Sequence, residues 1–327
     1  MSNSENKSEL FVFLSKGLVE EENLKTVTNI GGVMASKNIL TELSGKSCQN
    51  WEEADGRILL HVSDMAKSGA KNVIVPTVDT DVVVLCISFI YQLRAMGLEE
   101  LWILFGSGKN RRYIAAHNIA NELGTEKCMG LRGFHAFTGC ESVSFFSEKG
   151  KKGAWKTWMA CESATEAFKF ISLPNDHIPC HIQELLEEFT SKLYSGTSEH
   201  RKVDQLRKQL FCTENRPLHL IPPSSATLKE HCLRAAYQAG QIWGRSLDML
   251  QCAPASPNSW GWTKQNEMWE PVWSKLTSIW TACRELEKCG CKSGCDSQRC
   301  SCRRTGLPCT LQCKCNDACL NKRYLII

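Results

Sequence analysis

The chain has 327 residues, 43% of them apolar and 23% charged, enough for one substantial core and a smaller module. No apolar run reaches the roughly 18 residues that span a bilayer, so no membrane partner is expected. The net charge of +4 is too small to single out an acidic partner by itself.

The start, MSNSENKSEL, has neither a basic segment nor an apolar one, so no secretory signal is expected and the thiols stay reduced. Taken with the nucleic-acid reading below, the expected location is the nucleus, with the cytoplasm as the alternative. In chain order, EADGRILLHVSDMAKS places Ile58, Leu59, Val62 and Met65 at helical spacing, with Gly69 as the cap that ends the helix. NVIVPTV reads as a short buried strand, and DTDVVVLCISFIYQL as a helix capped by Asp79 or Thr80. LWILF at 101–105 reads as a further strand. Strands alternating with helices predict a parallel sheet with helices on its faces. HIQELLEEFTSKLY repeats an apolar face at Ile182, Leu185, Leu186, Phe189 and Leu193, and a second helix opens with a capping box from Thr227 to Glu230. CAPASPNSWGW is a Pro-, Ser- and Asn-rich break. The expected division is an α/β domain over 1–160, a helical region over 161–251, a linker and Trp-containing segment over 252–287, and a Cys-rich module over 288–327. Eight of the ten Trp lie between 155 and 280 and are expected to pack in the helical part.

Nineteen cysteines in a reducing compartment argue for metal rather than disulfides. Ten are scattered, and Cys86 and Cys232 among them read as small core residues. The other nine, Cys289, Cys291, Cys295, Cys300, Cys302, Cys309, Cys313, Cys315 and Cys319, crowd into the tail. Tetrahedral zinc takes four ligands, so nine thiolates saturate three ions only if three sulfurs bridge two ions each and six bind one. Eight Lys/Arg against two Asp from Lys288 onward give +6 before metal, and nine thiolates with three Zn²⁺ reduce this to about +3. A basic surface carrying Lys292, Arg299, Arg303 and Arg304 would survive metal binding. The stretch KCGCKSGCDSQRCSCRRTGLPCTLQCKCNDACLN resembles the tesmin-type CXC domain, and that resemblance implies three zinc ions and contact with DNA.

Four acids, Glu53, Asp55, Asp79 and Asp81, stand at a helix start and just past the C-terminal end of a strand, where open α/β sheets bind ligands. Mg²⁺ takes carboxylate, water and phosphate oxygens, so such a set suits phosphodiester hydrolysis. The order EEADGRILLH, VDTDVVVL, HAFTGCES, FFSEKGKKGAWKTW and RAAYQAGQIWG resembles the PIN-like fold of the flap-endonuclease superfamily, in the divergent form found in mobile-element-derived animal proteins. That resemblance implies a two-metal site held by Glu53, Asp55, Asp79, Asp81 and Glu141, with Lys149, Lys151 and Lys152 gripping phosphate. It also implies that MSNSENKSELFVFLSK corresponds to the middle of that domain, so further upstream aspartates are missing and the site is incomplete. His61 and His135 receive no role, and no Gly-x-Ser-x-Gly or phosphate-loop motif is present. The expected function is a zinc-containing, nucleic-acid-associated protein with an incomplete nuclease-derived domain, its partner DNA or alternatively RNA. The rivals are an active Mg²⁺-dependent structure-specific nuclease and a protein-interaction scaffold with purely structural zinc.

Overall fold

The computed structural model describes residues 4–23, 26–30, 33–38, 54–212, 218–248, 254–266, 268–273, 288–292, 294–309, 313–315 and 319–321. The chain is mixed α/β, about half helical, with small sheets and a Cys-rich C-terminal cluster. It forms two compact units, Met1–Val272 and Trp273–Ile327.

At the start of the first unit, helix α1 (Ser4–Glu20) packs on an antiparallel hairpin, β1 (Thr26–Ile30) and β2 (Val33–Lys37). Helix α2 (Ala54–Lys67) turns Leu59, Val62 and Ala66 inward at the periodicity its sequence shows. Strand β3 (Asn72–Thr77) leads through α3 (Thr80–Ser88) and α4 (Ile90–Ala95) to β4 (Glu100–Phe105), which pairs with β3 in parallel. The long apolar run after Asp79 is therefore helical, as read, but breaks at Phe89.

Two expectations about the sheet change. Strand β5 (Arg112–Ala115) pairs antiparallel with β4, so the three-stranded sheet is mixed. Strand β3 is buried on one face only: Val73 and Val75 point inward while Ile74 is 56% exposed, so helices do not cover both faces there.

The core is closed by α5 (Ala116–Phe137), interrupted at Gly124, together with α6 (Lys151–Ala160), α7 (Ser163–Ile171), α8 (Cys180–Tyr194) and α9 (Val203–Cys212). Phe134 stacks on Trp158 at 4.8 Å between ring centroids, and Phe168 meets both rings edge-on. Gly133 lets α5 and α7 touch, since a Cβ there would stand 2.3 Å from the Phe168 carbonyl oxygen. Gly133→Ala is therefore expected to cost about 2–3 kcal/mol, read as a lower urea midpoint, whereas an unchanged midpoint would show that the helices can part.

Helix α10 (Ser225–Ala236) is capped by Ser224, whose Oγ accepts from the Thr227 amide, so the N-cap lies three residues before the expected one. Of the tryptophans, Trp158 and Trp243 are buried, but Trp273 is 77% exposed and Trp269 also faces solvent. Within the segment read as linker, β6 (Trp262–Gln265) and β7 (Met268–Pro271) form a hairpin. Cys86 and Cys232 are fully buried. Among the described residues no helix is long and apolar enough to cross a membrane.

Candidate metal centre

In the second unit the buried set is almost entirely sulfur. Eight of the nine tail cysteines are buried, Cys291 is half-buried, and Leu307 is the only non-cysteine apolar residue packed against them among the described residues. The spacing C-x-C brings neighbouring thiols toward one centre, and two turns help. Cys300 caps the short helix α11 (Ser301–Arg304), its Sγ facing the Arg303 amide at 3.5 Å, while Cys295 adopts a left-handed backbone at φ +54°. That conformation is unfavourable for a residue with a Cβ, and a ligand that fixes the sulfur offsets it.

The sulfur distances match a metal. Four ligands about 2.3 Å from zinc stand about 3.8 Å from one another in a tetrahedron. Cys289 and Cys295 are 3.7 Å apart, Cys289 and Cys309 3.9 Å, Cys300 and Cys309 3.8 Å, and Cys302 and Cys313 3.6 Å. Three sets of four each bring all their sulfurs within 4.8 Å: Cys289, Cys291, Cys295 and Cys300; Cys289, Cys302, Cys309 and Cys313; and Cys289, Cys295, Cys309 and Cys315. The thiolates also have donors around them. The Cys289 amide points at Cys313 Sγ at 3.4 Å, and Asn321 Nδ2 at Cys309 Sγ at 3.4 Å. The cluster can therefore hold metal ions. Lys288, Lys292, Arg299, Arg303, Arg304 and Lys314 lie exposed around it.

In the first unit the acids converge from three elements. Asp79 caps α3, its Oδ1 accepting from the Asp81 amide at 2.9 Å, so the polypeptide turn after β3 fixes both residues. Asp55 stands in the first turn of α2, and Glu141 follows the end of α5. Burial first, and then the charges of Asp79, Asp81 and Glu141, push the Asp55 carboxyl up to about 6. Glu53 lies outside the described residues. Among the described residues no three of these carboxylates bring oxygens within 4.8 Å of one another.

Two residues given no metal role, or a different one, shape this pocket. His135 Nε2 meets Asp81 Oδ1 at 2.8 Å, both side chains being largely buried. Lys151, read as a phosphate grip, turns its ammonium inward to the carbonyls of His135 (2.8 Å) and Gly139 (2.6 Å) and to Thr138 Oγ1 (3.1 Å). Burial pulls its pKa down to about 8 against the opposing pull of Cys140 and Asp81. Lys149 lies over the Tyr194 ring at 5.0 Å, and Lys152 is exposed. Neither inward contact has a local signal in sequence: His135 and Asp81 are 54 residues apart.

Because Asp55 is harder to ionise folded than unfolded, its contribution to stability is largest below the model value of 3.8 and is lost as pH rises to about 6. Asp55→Asn is thus expected to stabilise the first unit by about 1 kcal/mol at neutral pH after solvent screening. At a pH near 3.8 it should change little. Urea titrations at the two pH values measure this, and an equal effect at both would contradict the like-charge origin.

No protein-family model matches the chain, and neither a curated protein nor a solved structure does.

Proposed function

We propose that this chain is a zinc-containing, nucleic-acid-associated protein, with a PIN-like, nuclease-derived α/β unit whose catalytic site is incomplete. The observation that carries the reading is the set of sulfurs at tetrahedral edge spacing in overlapping groups of four. Cys289, Cys295 and Cys309 recur between groups, so they are the bridging ligands of a three-ion cluster. Cys291 and Cys300 complete one ion, and Cys302 and Cys313 the second. Cys319, whose thiol contacts those of Cys315, Cys295 and Cys309, completes the third with Cys315. When bound, zinc supplies structure, since every coordination position is taken by sulfur.

The exposed Lys and Arg around the cluster leave it about +3 when loaded, which suits a phosphate backbone. The crossover from β3 to β4 and the acids past the end of β3 support the PIN-like reading. The donor set supports incompleteness. Asp81 gives one oxygen to His135, Asp79 gives one to the Asp81 amide, and the carboxylates do not close on a common point.

A second reading, an active Mg²⁺-dependent nuclease, is favoured by the mutual approach of Asp55, Asp79, Asp81 and Glu141. One experiment separates the two. The zinc-loaded full chain is incubated with labelled flap, hairpin and single-stranded DNA in Mg²⁺, beside an Asp79→Ala/Asp81→Ala variant. Salt-sensitive retention without cleavage is the expected result. Cleavage lost in the variant would establish the nuclease, and neither cleavage nor retention would overturn the nucleic-acid reading in favour of a protein-interaction scaffold.

A further inference from the structure

The stretch RAAYQAGQIWG, residues 234–244, lies outside the metal chemistry, yet its side chains reach across the first unit. Arg234 Nη1 donates to the Gly261 carbonyl at 3.2 Å, the Tyr237 hydroxyl to that of Ala255 at 2.9 Å, and Gln241 Nε2 to that of Asn175 at 2.6 Å. A Cβ at Gly240 would meet the Leu173 carbonyl oxygen at 2.3 Å, so glycine alone allows the close approach. The helix also changes form here. Residues Tyr237–Ile242 make a π-helical turn, a rare geometry that re-aims the side chains it carries.

One side chain aimed by that turn is Gln238. It is 5% exposed, and its Oε1 accepts the Ser142 hydroxyl at 2.8 Å, across 96 residues of sequence. On α10, His231 reaches the same loop: Nε2 is 2.8 Å from the Phe137 carbonyl and Nδ1 is 3.2 Å from Ser144 Oγ. Burial pushes His231 down to about 4, so near neutral pH it has a single N–H. That proton goes to the Phe137 carbonyl, which leaves Nδ1 to accept from Ser144. Between these anchors the backbones of Cys140 and Val143 bond to each other at 3.0 and 3.3 Å, closing a tight turn around Glu141. On the far side of the turn, the Trp243 ring lies 5.9 Å from His135, the residue that holds Asp81.

We propose that the segment from His231 to Trp243 is a positioning device for the acidic pocket, with Gln238 holding the Glu141 turn through Ser142 and Trp243 backing the imidazole that holds Asp81. This rests on the nuclease-derived reading of the pocket. It gives the π-helical turn a reason to exist: an unbroken α-helix would rotate Gln238 away from Ser142.

The test uses the zinc-loaded full chain with two readouts, hydrogen exchange at the Cys140 and Val143 amides and Mn²⁺ affinity from water-proton relaxation. Gln238→Ala and Ser142→Ala are each expected to speed exchange at both amides by about tenfold, with α8 amides unchanged. The double variant should be no faster than either single one, and Ser142→Thr, which keeps the hydroxyl, should retain protection. Mn²⁺ affinity should fall about fivefold in Gln238→Ala, and in a Glu141→Gln background the same change should do nothing further. Unchanged exchange, or acceleration spread equally over α8 and α10, would overturn the positioning role. Absence of Mn²⁺ binding in the parent chain would instead refute a cation site, and the exchange data would then decide positioning alone.

Discussion

Stripping zinc from the full chain is expected to unfold the Cys-rich module while the α/β unit keeps its own thermal transition. The buried set of the module contains cysteines and, packed against them, Leu307, so without metal there is no apolar core to hold it. Structural zinc contributes about 10–16 kcal/mol per ion in small domains, and here it takes the place of that core. The bridging assignment makes the loss uneven. Cys289→Ser, Cys295→Ser and Cys309→Ser each remove a ligand from two ions, whereas Cys291→Ser or Cys302→Ser removes one from a single ion. Native mass spectrometry should therefore show the first group losing more zinc than the second, and limited proteolysis should show the module opening in the same order. Equal losses at all positions, or a protease-resistant module free of zinc, would count against the assignment.

The second large effect is expected at Arg303 and Arg304. Both are exposed on the short helix α11, beside the bridging end of the cluster, and Arg303 reaches back to the Cys295 carbonyl at 3.3 Å. If they meet backbone phosphates, Arg303→Ala/Arg304→Ala should weaken DNA retention about tenfold near 0.1 M salt and lower the salt slope by about 2, equally for unrelated sequences. A filter-binding series at several salt concentrations, with zinc content measured alongside, reads this directly. An unchanged slope at full zinc content would show that the basic surface serves another partner.

Much of the helical framework was legible because apolar periodicity is strong in α2 and α8, and the Asp79 cap followed from an acid placed just before an apolar run. The antiparallel β5 escaped because four residues, RYIA, carry too little pattern to declare a direction. The α10 cap was misplaced because Ser224, Ser225 and Thr227 all offer hydroxyls within one turn, and packing decides among them. In the metal centre the nine cysteines were plain from spacing, but which sulfurs are shared depends on distances that no spacing encodes. The acidic pocket shows the same limit. Its members were readable from position, whereas the His135 contact and the inward turn of Lys151 arise from contacts between distant elements.

The central claim, a shared-thiolate zinc cluster, is tested most directly by zinc K-edge X-ray absorption on the loaded full chain. The account predicts a shell of about four sulfurs near 2.3 Å, with a zinc–zinc scattering path beyond it from the bridging thiolates. Nitrogen or oxygen in the first shell, or no zinc–zinc path at full occupancy, would contradict it.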